Sequence, residues 1–337
     1  MRFTKLLAAT VVLFAFAASP AFAFLNRTDN FIKGYTFYTM LNYKDAMASF
    51  KKAEHSSDPR AMYFIGLMYA ESKGVEKDQS ASASYFARAR KIAVELAEKS
   101  DTRGMFTIAT MYLDGYGINQ NYAEAMRWYE RGADAGDLLA VNYIGRMYRW
   151  GWGVKADEAE AVRYFEKAAA AGDVTSLNSL GNTYLAPEQI QRDVQKAMQY
   201  YRQAADKGDA LAMSSLGVIL CGEQAGTPGV EPDYSEALCL LQKAAKLGNA
   251  RAMANLGALY KDGIGVPRDA AKALNWYKQS ADLGNSDAMV QIATMYVDGS
   301  MGRQDIEKGI SWLKEAAKYN NAEATEYLNL IFNNGQQ

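Results

Sequence analysis

Few residues in this 337-residue sequence are equipped for chemistry, and none is grouped as a reaction would require. Histidine occurs once, at His55, with no cysteine or carboxylate constellation around it. A serine triad and most zinc sites need a well-placed histidine, so both lose their raw material. His55 reads as a surface residue near a helix end. Gly115-Tyr116-Gly117 and Gly263-Ile264-Gly265 follow helical patterns rather than strands, which makes them turns and not phosphate-cradling loops. Carboxylates recur at helix starts, where capping explains them without catalysis. The expectation is a non-enzymatic protein with no catalytic residues, no metal and no cofactor.

The first 23 residues are read as a signal peptide. Arg2 and Lys5 lead into an apolar run from Leu6 to Ala18, followed by Pro20 and Ala21-Phe22-Ala23. This is the three-part pattern of a cleavable export signal, with the cut before Phe24. The run is too short to cross a bilayer, which takes about 20 residues. No later segment is apolar enough to span one, so the mature chain is expected to be exported, periplasmic or secreted. The formal charge is −1, and −3 once Arg2 and Lys5 are removed. A near-neutral chain without a basic cluster lacks the electrostatic footprint of a nucleic-acid binder. In an oxidising compartment an even number of cysteines favours pairing, so Cys221 and Cys239 are a disulfide candidate. The other reading is a pair of small buried thiols.

Behind the scattered polar residues stands a repeat. Asp58, Asp101, Asp137, Asp173, Asp209, Asn249, Asn285 and Asn321 recur mostly at 36-residue steps. The first step is longer because Ala81–Ser100 holds about seven extra residues, two helical turns that keep the helix face in phase. The step after Asp209 is longer through the loop Gly222–Pro232. Each unit reads as two helices. In the unit opened by Asp137, Ala140, Ile144, Gly145 and Tyr148 form one stripe, and Gly151-Trp152-Gly153-Val154 makes a turn. Asp157 then caps a second helix, with Glu160 at capping-box spacing. That helix carries Ala161, Tyr164, Phe165, Ala168 and Ala169 on one face and ends at Gly172, a left-handed C′ residue. Glycine recurs inside the first helix at Gly66, Gly145, Gly181, Gly217 and Gly257, with Ala109 and Ala293 in two units. A mid-helix glycine costs about 1 kcal/mol relative to alanine, and its recurrence implies close approach of the paired helix. The aromatic residues of the second helix are expected to cover the neighbouring repeat. One pair cannot bury its apolar face alone, so stacking must supply the core.

The stretch Ala252-Met253-Ala254-Asn255-Leu256-Gly257-Ala258-Leu259-Tyr260-Lys261-Asp262-Gly263-Ile264-Gly265-Val266, followed by Asp269, Lys272-Ala273 and Trp276-Tyr277, resembles the Sel-one-like repeat (SLR), a relative of the tetratricopeptide repeat. The resemblance covers residues 58–320, seven units. It implies an all-α fold, a right-handed α-solenoid of antiparallel helix pairs. Leu185–Arg192 departs from the pattern by lacking the Gly-x-Gly-Val turn, and Gly222–Pro232 by its length and prolines. Residues 24–57 look like a tetratricopeptide helix pair that starts the stack, and 321–337 like a capping helix and tail. The resemblance further implies a scaffold or adaptor of the cell envelope or secreted space, binding a protein or peptide partner. A cell-wall or carbohydrate-binding module is the alternative. Some exported relatives have been proposed to bind or hydrolyse β-lactams, but they carry a regular cysteine pair in each repeat, which this chain lacks.

In such solenoids the first helices line the concave, partner-binding surface. The outward positions this implies are Asn142, Arg146, Arg149 and Trp150 in one unit and Asn178 and Asn182 in the next. Asparagine pairs with an extended peptide backbone, and arginine with a carboxylate through its fork of donors. Trp150 stands where other units carry Asp114, Asp262 and Asp298, and Trp and Arg are enriched at interface hot spots. The leader itself is checked by intact mass: protein purified from the expressing cell should begin at Phe24, and a chain retaining Met1 would refute the export signal.

Overall fold

The computed structural model describes residues 29–222, 230–300 and 302–334. The expected leader, residues 1–23, lies outside these, as do part of the loop 222–232 and the last three residues of the tail. The described residues form seventeen helices and no strand. The first pair is α1 (Asn30–Thr39) and α2 (Tyr43–His55), followed by α3 (Pro59–Glu71) with α4 (Gln79–Glu98) and α5 (Thr102–Asp114) with α6 (Tyr122–Asp134). The middle pairs are α7 (Leu138–Trp150) with α8 (Glu158–Ala170), α9 (Val174–Leu185) with α10 (Val194–Asp206), and α11 (Ala210–Ile219) with α12 (Tyr234–Lys246). The stack ends with α13 (Ala250–Asp262) and α14 (Ala270–Asp282), α15 (Ser286–Val297) and α16 (Ile306–Lys318), and the single helix α17 (Ala322–Asn334). The helices of each pair pack on one another, and the second helix of each pair packs on the helix that follows it.

The recurring Asp and Asn residues are N-caps. Asp137 Oδ1 accepts from Leu139 N at 3.0 Å, and Asn249 Oδ1 from Ala252 N at 2.9 Å. Each cap satisfies one of the backbone N–H groups that a helix start leaves unpaired. The expected capping box at Asp157 is half made. Asp157 accepts from Glu160 N at 2.9 Å, but the Glu160 carboxylate turns to Arg163 at 2.7 Å, a charged donor on the same exposed face. Where a turn follows the first helix, Gly151 adopts φ 68 and Gly153 φ 74, the left-handed region that costs glycine nothing. Helix α4 is 20 residues long where its counterparts have 13, which accounts for the extra residues after Ala81.

The mid-helix glycines are contact points. A Cβ on Gly145 would lie 2.6 Å from Phe165 Cε1, and one on Gly181 2.7 Å from the Tyr201 ring. Gly66 meets Phe86, Gly217 meets Leu241 and Gly257 meets Tyr277 in the same way. The large residue of the second helix therefore sits on the glycine of its own pair, and it also reaches the neighbouring repeat as expected. Its far edge reaches the neighbour: Tyr129 lies 5.8 Å from Phe106 in its own pair and 5.2 Å from Tyr143 in the next.

The stack curves far enough for its beginning to touch its later repeats. The turn between α1 and α2 docks on the turns before α13 and α15. Ala250 N–H, an orphan donor at a helix start, donates to Met40 O at 3.1 Å, and Lys44 N–H donates to Leu283 O at 3.2 Å. The buried Asn42 side chain donates to Gly248 O at 3.0 Å. Met40 is buried in the core cluster formed by α9 to α13, far from it in sequence. Gly74 and Gly284 meet so closely that a Cβ on Gly284 would lie 3.2 Å from Gly74 Cα.

The pair Cys221 and Cys239 is not bridged. Cys221 follows α11, buried, with its Sγ 3.4 Å from Gly217 O. Cys239 is exposed on α12, where Ala237 and Leu241 on either side of it are buried. Two residues along a helix turn the side chain roughly 200°, so the face that holds Ala237 and Leu241 against α11 points Cys239 away.

The loop between α9 and α10, which lacks the glycine turn, is held by Glu158. This carboxylate is 1% exposed and accepts three successive backbone N–H groups, from Glu188 at 3.0 Å, Gln189 at 2.7 Å and Ile190 at 3.0 Å. Gln189 answers by accepting from Glu158 N at 3.2 Å. Burial pushes the Glu158 carboxyl up, but the three donors and the Arg149 charge together hold it below the ordinary range.

Two substitutions test these supports. Gly145→Ala gains about 1 kcal/mol of helix propensity but drives a methyl into Phe165, and overpacking costs about 1–3 kcal/mol. Urea denaturation should therefore show net destabilisation; a stabilised variant would mean the close approach is not tight. Glu158→Gln should cost about 1–3 kcal/mol at neutral pH. Because the folded pKa is lowered, this stabilisation is complete above the unfolded value of about 4.3 and is lost as pH falls through the folded value. The gap in denaturation midpoint between the two proteins should close on acidification; a gap constant with pH would rule out the charged carboxylate as its source.

Candidate functional site: the inner groove

The odd-numbered helices line an inner groove, and the six residues singled out from the sequence all border one part of it. Asn142, Arg146, Arg149, Trp150, Asn178 and Asn182 share a cavity of about 630 Å³ with residues of α1, α3 and α5. Helix periodicity explains why α7 contributes so many. Asn142, Arg146, Arg149 and Trp150 follow at steps of four, three and one, which keeps them near one face.

Their roles differ. Asn142 and Asn178, expected to face outward, are buried, at 1% and 4% exposure. The reason is that neighbouring first helices approach closely enough to bond through them. Asn142 Nδ2 donates to Ser176 Oγ at 2.9 Å and Ser179 Oγ at 3.1 Å, and Asn178 Nδ2 donates to Asp209 Oδ1 at 3.0 Å. The same device recurs between later repeats, where Asn255 donates to Ser214 Oγ and Asn321 to Ser286 Oγ. Asn182 is exposed, and its Oδ1 accepts from Tyr201 OH at 2.7 Å.

Arg146 is half-buried on the groove wall, its guanidinium 4.5 Å from the Tyr143 ring and 6.0 Å from that of Trp152. Arg149 bridges repeats: Nη2 donates to Asn182 O and Ala186 O, both at 3.2 Å, while the guanidinium lies 4.7 Å from the Trp150 ring. Trp150 is 46% exposed, one of few large apolar side chains so open. Arg149 Nε and Asn178 Oδ1 are buried without a hydrogen-bond partner. Buried polar atoms are nearly always paired, so two open ones in one groove mark it out.

Several groove residues escaped the sequence reading. At the end formed by α3 and α5, Glu71 and Asp114 line the same cavity. Asp114 accepts from Tyr63 OH at 2.7 Å, and Glu71 from Tyr116 OH at 3.4 Å. Asp114 is open to the groove yet walled by protein elsewhere. Burial raises its carboxyl above the ordinary range, against the pull of the Tyr63 hydroxyl and the Arg146 charge. Glu71 is raised by burial too, with Lys73 lowering it and Asp114 adding to the rise. Beyond α9 the groove continues into a second cavity of about 740 Å³ that takes in Asn182, Arg192, Arg251 and Asn255. Their register within each repeat was legible, but their convergence depends on curvature. Among the described residues no group of three or more His, Cys, Asp or Glu is placed to hold a metal. His55 is exposed at the end of α2, its Nδ1 2.6 Å from Lys51 O. No described helix is long and apolar enough to cross a membrane.

Among proteins of curated function none matches this chain. Among solved structures, an Escherichia coli protein described as a protective antigen of uropathogenic strains with an SLR fold is 29% identical over 90% of this chain, with a TM-score of 0.50. The chain spans 64% of that protein's length. A Sel1 repeat protein of Oxalobacter formigenes is 28% identical over 75% of this chain and 96% of its own, with a TM-score of 0.47. The Sel1 repeat family matches seven times, at residues 59–91, 102–137, 138–173, 175–209, 210–249, 250–285 and 286–321. These matches begin where the first-helix caps stand and run through most of the described stack. The chain belongs to the Sel1 repeat family.

Proposed function

We propose that this chain is a non-enzymatic scaffold of the bacterial cell envelope or secreted space that holds a protein or peptide partner in its inner groove. Sel1 repeat proteins are generally protein-interaction scaffolds. The observation that carries the reading is the groove around α7 and α9. There an exposed tryptophan and two arginines line one cavity, and two of the lining residues hold buried polar atoms without a partner. A rigid wall of helices with an aromatic anchor and a few unmatched donors and acceptors is what a recognition surface needs. The expected leader supports export, and the lone His55 removes the raw material for a serine triad and for most zinc sites. The alternative, a sugar chain laid across Trp150, draws on the same exposed ring.

Replacing Arg146, Arg149 and Trp150 together should abolish capture of the partner crosslinked in cells while the circular dichroism spectrum stays helical. Undiminished capture would remove the groove from consideration. Sedimentation of the purified protein with isolated cell wall, lost in the same variant, would instead favour the carbohydrate reading.

A further inference from the structure

From α7 to α13 the charged side chains lining the groove are Arg146, Arg149, Arg192 and Arg251, with no carboxylate among the described lining residues. The chain as a whole carries a formal charge of −1, so this concentration of positive charge is local to the inner face. Asn182 borders both cavities, which makes the arc continuous. Toward α3 and α5 the lining adds the carboxylates Glu71 and Asp114, with Lys73 beside them.

Within this arc the two unpaired atoms are of opposite type. Asn178 is 4% exposed, and its Nδ2 is committed to Asp209, so the Oδ1 left over is an acceptor. Arg149 Nε is a donor whose neighbouring Nη2 is already used by two carbonyls. The N–H and C=O of one extended residue lie on the same edge of a strand and match these two types.

We propose that the arc binds an acidic peptide in extended form. One residue of the peptide donates its N–H to Asn178 Oδ1 and accepts at its C=O from Arg149 Nε, while the peptide's carboxylates face Arg146, Arg192 and Arg251. An extended strand offers such amides repeatedly and alternates its side chains, so several charges reach the groove wall while the backbone is held. Glu71 and Asp114, offset in part by Lys73, disfavour a negatively charged strand at that end. This rests on the groove being the partner-binding surface and adds the partner's chemistry. An acidic N-acetylated polysaccharide shares the charge and the amide but lacks a continuous peptide backbone.

The test is fluorescence anisotropy of the full mature chain with three labelled synthetic peptides of equal length, alternating alanine with glutamate, glutamine or lysine. The glutamate peptide should bind at least about tenfold tighter than the glutamine peptide and weaken as salt rises. The lysine peptide should not bind. A glutamate peptide methylated on its backbone nitrogens keeps the charge and loses the N–H donors, and should bind about tenfold more weakly. So should the unmethylated peptide with an Arg146→Gln, Arg251→Gln double variant whose thermal transition is unchanged. Equal affinity for the glutamate and glutamine peptides overturns the proposal, as does methylation without effect. Binding of a hyaluronan oligosaccharide in place of the glutamate peptide also overturns it. If the glutamate peptide fails while the Arg146, Arg149, Trp150 variant still loses its crosslinked partner, the peptide chemistry falls and the groove reading stands. If that variant keeps its partner, both fall.

Discussion

The whole stack depends on how closely two helices of a pair are allowed to approach. At Gly66, Gly145, Gly181, Gly217 and Gly257 the first helix has no side chain, and a ring or branched side chain of the second helix occupies the space. Each glycine weakens its own helix, and each contact sets the pair at one separation. Uniform pairs stack with uniform rotation, so the groove inherits its curvature from an absence of atoms. Two pairs carry alanine at this position, Ala109 in α5 and Ala293 in α15. In the α15–α16 pair the first helix carries Ala293, and the glycine moves across to Gly309, where a Cβ would lie 2.5 Å from Val297. In that pair the close approach is kept by changing which helix gives way.

The groove depends on this regularity in a second way. Because first helices lie side by side at a fixed distance, an asparagine on one reaches a hydroxyl or carboxylate on the next, as Asn142 and Asn178 do. These bonds make a stiff wall, and side chains held by a stiff wall lose little freedom on meeting a partner. Arg149 and Glu158 extend the stiffness to the loop after α9: one binds its carbonyl at Ala186, the other three of its N–H groups. A loop without glycines is thereby ordered by ligation from the previous repeat.

What the sequence disclosed follows the range of the forces involved. Caps at Asp137 and Asn249, the left-handed turn at Gly151 and the face of α8 are decided within a few residues, and spacing alone located them. The close contact of Gly145 was legible as a need, and its partner Phe165 as one of several aromatics. The burial of Asn142 and Asn178 was not, because it depends on the distance between repeats. Nor was the fate of Cys239, which turned on helix phase rather than on proximity in the chain. The arginine arc was hidden most completely. Arg146, Arg192 and Arg251 lie in three different repeats, and only the curvature of the stack brings them to one surface.

The docking of the α1–α2 turn on the later repeats also bears on how such a chain could evolve. In an open solenoid each unit touches only its neighbours, and units can be added or lost with little effect on the rest. Here Asn42 donates to Gly248 across a separation of 206 residues, and Met40 and Lys44 bond within the same closure. Duplicating or deleting one repeat between them would carry those turns out of register and leave Met40 and Asn42 without their seats. The number of units between the first pair and α13 is thus set by the closure itself. Length change by repeat duplication, the ordinary route in this architecture, is open mainly beyond α15.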